Sequence, residues 1–85
     1  VGKYNKVLEK VIFGRSDTNV TFSELKQLLL LLGFQERIRG DHHIFSKEGV
    51  VEIINLQPLG AMAKPYQVKQ VRQIIVRYRL ELKND

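Results

Sequence analysis

The chain has 85 residues, 44% of them hydrophobic and 27% charged, which is enough for one domain with a modest core and too little for two. The absence of cysteine excludes a disulfide framework and a thiolate metal site and fits a reducing cytosol, while the longest apolar run, Leu28 to Leu32, falls far short of the ~20 residues of a membrane span. A net charge of +5 and a pI near 9.8 favour an anionic partner.

The opening "VGKYNKV" has no apolar signal-peptide core and no initiator Met, so a trimmed or replaced start is expected. In "KYNKVLEKVIF" the apolar residues Tyr4, Val7, Leu8 and Val11 recur with the spacing of one helix face, and Gly14 closes that helix. "GRSDTN" reads as a loop. In "TFSELKQLLLLLG", Thr21 is the expected N-cap, Glu24 completes a capping box and Gly33 stops the helix. Phe22, Leu25, Leu28, Leu29 and Leu32 line one face. Leu30 and Leu31 fall outside it, which points to burial on more than one side or, as the alternative, to contact with another subunit.

After Gly33 the period changes. "FQERIR", "HHIFS" and "VVEIINL" read as three strands, with "RGD" and "KEG" as the turns of an antiparallel meander. "QPLGAMAKP" is a loop whose Pro65 suits the first turn of a last helix, "YQVKQVRQIIVRYRLEL". Its expected apolar face is Val68, Val71, Ile75, Tyr78 and Leu82, with Lys69, Arg72 and Arg79 opposite and Arg77 near the edge. The order α-α-β-β-β-α predicts an α+β domain, with helices on one face of a small sheet and the other face free. The stretch from Lys64 to Arg79 holds five basic residues and no acidic one; a solvated helix face is the common cause of such a run, and a phosphate-binding surface is the alternative.

The two histidines, His42 and His43, are adjacent on the second strand and therefore point to opposite faces. If Phe45 packs under the helices, His43 points inward and His42 outward with Ile44; the assignment reverses if Ile44 is the core residue. Divergent histidines without further ligands at metal spacing give no expected metal site, and no Gly-rich phosphate loop or aligned Ser-His-Asp set is visible, so no cofactor is expected. One chemistry remains compatible with an imidazole among cations: RNA carries its own nucleophile, the 2′-hydroxyl, and its cleavage needs an acid, a base and cationic donors.

Taken together, "LKQLLLLLGFQERIRGDHHIFSKEG", "VVEIINLQP" and "KPYQVKQVRQII" resemble the HicA, or YcfA-like, family of small bacterial toxins, over about Ser23 to Ile75. The resemblance implies a fold similar to double-stranded-RNA-binding domains, an endoribonuclease activity on messenger RNA in the cytoplasm, and a HicB-like antitoxin as protein partner. It places the catalytic histidine at His42, with His43 carried over less securely, matches Gly40 to the family glycine, and matches Lys64 and Pro65 to the pair that opens the last helix. Lys64, Lys69 and Arg72 are the expected contacts to the RNA backbone. The expected unit is one domain over residues 1–85, with residues 1–20 an additional helix and loop and residues 21–82 the core.

Two positions depart from the family pattern. Asp41 stands where Ser is usual, and its charge would favour a protonated imidazole nearby and repel a phosphate; Gln57 stands where the family has a histidine after the third strand. A non-catalytic RNA-binding module of the same fold is therefore the alternative reading. A protein-interaction domain that uses the first helix or the leucine-rich helix is a third.

Overall fold

A computed structural model of the chain describes residues 3–14 and 17–82, with side chains from residue 6 onward in the first helix. The elements run α1 (Lys3–Phe13), α2 (Phe22–Leu31), β1 (Gln35–Arg39), β2 (His42–Lys47), β3 (Val50–Leu56) and α3 (Pro65–Tyr78), the α-α-β-β-β-α order expected from the sequence. Tyr4, assigned to the apolar face of α1, lies outside the described side chains.

Both ends of α2 are set by local chemistry. Thr21 Oγ1 accepts from the Glu24 amide at 3.0 Å, and Glu24 Oε1 accepts from the Thr21 amide at 2.9 Å, so the capping box closes reciprocally. At the other end Gly33, at φ +100°, lets the Gly33 amide reach Leu30 O at 3.1 Å and the Phe34 amide reach Leu29 O at 3.0 Å, a Schellman closure that buries Phe34. Leu30 packs partly against the core, whereas Leu31 stays 41% exposed, so the second flank of α2 is covered only in part.

The expectation that α3 runs on to Leu82 is corrected. Arg79 takes the left-handed region (φ 52°, ψ 47°), and the Leu80 amide turns back to Ile75 O at 3.0 Å, which ends the helix at Tyr78. Leu80 and Leu82 still pack on the core, from the chain that follows the helix rather than from its face.

The sheet has the strand order β1-β2-β3, antiparallel throughout. Gly40 at φ +61° is the first central residue of the two-residue turn Gly40-Asp41, a position where a side chain would strain the backbone. Phe45, Ile54 and Leu56 point under the helices and are fully buried with Leu25, Leu28, Leu29, Val68 and Val71. One core cluster also takes in Val7 and Val11 of α1, which packs against α2 and α3. α1 is thus bound to the other two helices, with Lys10 Nζ 3.2 Å from Glu24 Oε1. Among the described residues no helix covers the opposite sheet face. No helix among the described residues is long and apolar enough to cross a membrane.

Candidate functional site on the open sheet face

Because Phe45 is buried, strand parity sends His43 inward and His42 outward. His43 Nδ1 lies 2.7 Å from Glu36 Oε2, and its ring meets Phe22 edge-on at 4.8 Å; Lys26 Nζ stands 3.5 Å from the same carboxylate oxygen. These contacts satisfy His43 beneath the sheet and brace β2 and β1 against α2.

His42 has the opposite environment. It is about half exposed, and its Nδ1 is 3.0 Å from Asn55 Oδ1 on β3. A carboxamide oxygen only accepts, so in this pairing Nδ1 carries the proton and Nε2 is left facing outward. Nε2 lies 3.7 Å from Asp41 Oδ1, beyond hydrogen-bond length. Asp41 is held in turn: Gln57 Nε2 donates to Asp41 Oδ2 at 2.6 Å, and Lys64 Nζ donates to Gln57 Oε1 at 3.3 Å. The Gln57 hydrogen bond lowers the Asp41 carboxyl from its ordinary range, and the nearby charges of His42 and Lys64 add to this. The β1–β2 turn, the end of β3 and the start of α3 thus meet in one polar network.

Beside this network opens a cleft of about 270 Å³ lined by His42, Asn55, Gln57, Tyr66 and Gln67. Tyr66 is 63% exposed at its rim, while Gln67 is fully buried. Gln67 Oε1 accepts from the Lys64 amide at 3.3 Å, fixing the first turn of α3, and Gln67 Nε2 has no hydrogen-bond partner. Pro65 and the pairing of Ala63 N with Val20 O at 3.0 Å fix the approach of the chain to this turn.

Of the residues singled out from sequence, His42, Gly40 and Lys64 come together here, and His43 does not. Lys69 is exposed on α3 and contributes charge near Asp17, on the side of the loop between α1 and α2. Arg72 is committed to the same place: its Nη1 and Nη2 reach the two Asp17 oxygens at 2.8 and 3.2 Å, and Nη1 also donates to Val11 O at 3.3 Å. The cations on the open face are instead Arg37 and Arg39 of β1, exposed and paired across the sheet with Ile44 and His42. The alternation in "QERIR" that assigns the strand would also have assigned them. Asn55, Tyr66 and Gln67 carried no such signal, since only the register of β3 on β2 and the angle of α3 bring them to His42. Among the described residues no three of His, Asp and Glu are grouped to hold a metal ion.

Fold and site together define a small α+β domain with an exposed, oriented histidine beside a polar cleft on its uncovered sheet face. Compared with family models, with curated proteins and with solved structures, the chain matches none of them.

Proposed function

We propose that the chain is a toxin endoribonuclease of the HicA-like kind, acting on messenger RNA and held in check by a HicB-like antitoxin. The observation that carries the reading is His42, half exposed at the cleft, its Nδ1 engaged by Asn55 and its Nε2 turned outward. Around it stand Arg37, Arg39 and Lys64, cations suited to a phosphodiester backbone. In the reaction His42 Nε2 removes the 2′-hydroxyl proton, the P–O2′ bond forms and the P–O5′ bond breaks. The leaving oxygen takes a proton from the imidazolium or from water. Val51 and Ile53, 87% and 63% exposed on the same sheet face, offer apolar surface for a covering antitoxin.

The test is cleavage of a 5′-labelled RNA by the purified chain in chelator, compared with His42→Ala. The expected result is a rate loss of about 10²- to 10⁴-fold with the fold intact by circular dichroism, products ending in a 2′,3′-cyclic phosphate, and no cleavage of the corresponding DNA. A fully active His42→Ala protein removes His42 from the mechanism. The second reading, a non-catalytic RNA-binding module, is favoured by Asp41, whose carboxylate stands where a phosphate would meet His42 and Lys64. RNA bound but left uncut by the wild type would select it.

A further inference from the structure

The cleft wall is built of amides and an aromatic ring rather than of cations. The Asn55 and Gln67 oxygens are taken by His42 and the Lys64 amide, and Gln57 is held at both ends by Asp41 and Lys64. The two amide nitrogens of Asn55 and Gln67 are therefore the groups turned to a ligand, donors suited to the acceptors of a nucleobase edge, whereas a phosphate subsite calls for Arg, Lys or clustered amide N–H groups. Gln67 is fully buried, and no protein group accepts from its Nε2. Tyr66, 63% exposed at the rim, presents a ring on which a base can stack. The volume of about 270 Å³ lies below the roughly 300–1,000 Å³ of sites for drug-sized ligands and suits a single planar ring system.

We infer that this cleft receives one unpaired nucleobase of the RNA, stacked on Tyr66 and read by the amide nitrogens of Asn55 and Gln67, so that the substrate is single-stranded at the scissile step. The inference rests on the RNA reading of the site and adds what that reading leaves open, since folds with helices on one side of a three-stranded sheet are also suited to duplex RNA read by shape. A base held in a duplex stack cannot enter the cleft without being flipped out, and that unpairing costs a few kcal/mol. With the base seated beside His42, the adjoining phosphate lies toward Lys64, Arg39 and the β1–β2 turn.

The experiment is fluorescence-anisotropy titration of a labelled 12-nucleotide RNA, single-stranded or annealed to its complement, with wild-type, Tyr66→Ala and Tyr66→Phe proteins at one fixed salt concentration. Tyr66 is exposed, so neither substitution disturbs the core. The expected result is preference for the single strand, a loss of about tenfold to a hundredfold in Tyr66→Ala on that strand only, and near-complete retention in Tyr66→Phe. Equal binding of both RNAs, or a Tyr66→Ala protein indistinguishable from wild type, overturns the unpaired-base inference and leaves the RNA reading standing. A wild type that binds neither RNA at low salt overturns both.

Discussion

Replacing Arg72 by Gln separates the role the sequence offers for this residue from the role its contacts give it. Its guanidinium makes two hydrogen bonds to Asp17, at 2.8 and 3.2 Å, and a third to Val11 O, and both side chains are about three-quarters buried. A fully exposed pair would contribute at most about 1 kcal/mol, whereas removing one partner of a part-buried, bidentate pair costs about 2 kcal/mol. For a domain of this size that is a large share of the total, and it lowers Tm by about 8–16 °C. Urea unfolding of wild type, Arg72→Gln, Asp17→Asn and the double variant should give a coupling of about 1–2 kcal/mol. The pH dependence follows from Asp17, whose carboxyl is held below its ordinary value first by the Arg72 hydrogen bonds and then by the Arg72 and Lys69 charges, against burial. A folded pKa below the unfolded one means that the contribution is fully present above the unfolded value near 4 and is lost as pH falls through the folded value. The gap between wild type and Asp17→Asn should therefore close under acid conditions. Unchanged stability in Arg72→Gln, together with a salt slope of RNA binding reduced by about one, would refute the reasoning and assign Arg72 to the proposed RNA contacts.

Three further outcomes are expected. Thr21→Ala removes the reciprocal cap of α2 and should cost about 1 kcal/mol in denaturant unfolding, with helix content otherwise kept. Arg79→Gly relieves a left-handed residue at the end of α3 and should raise stability by about 1 kcal/mol, seen as a higher Tm. Asp41→Asn removes the acidic charge beside His42 and Lys64 and should tighten RNA binding at low salt, by an amount that shrinks as salt rises; an unchanged affinity would show that the phosphate path avoids Asp41.

What was legible in the sequence is what short-range rules govern. The capping box, the glycine after α2, the strand alternation and Pro65 each depend on neighbours within a few residues, and each element they imply is present. Parity on β2 needed one outside fact, the burial of Phe45, to orient both histidines. The end of α3 escaped because Leu80 and Leu82 continue the apolar pattern while the backbone reverses at Arg79, a residue with no glycine-like signal. The partners of Arg72 and of His42 escaped for a different reason. Asp17 lies 55 positions from Arg72 and Asn55 lies 13 from His42, so these contacts are set by how elements dock, which periodicity does not encode.

The two positions that depart from the pattern the sequence resembles turn out to be partners. Asp41 and Gln57 sit on separate elements, 16 residues apart, and are joined by a 2.6 Å hydrogen bond, with Lys64 attached to the other end of the Gln57 amide. The Asp41 carboxylate is bound by the Gln57 amide, and that amide is oriented by Lys64, which opens α3. The chain Lys64–Gln57–Asp41 holds a negative charge 3.7 Å from the outward nitrogen of His42, the place the proposed ribonuclease reading gives to an RNA phosphate. On the proposed ribonuclease reading, binding an RNA phosphate here exchanges one anion for another, and the Asp41–Gln57 hydrogen bond opposes that exchange without touching His42.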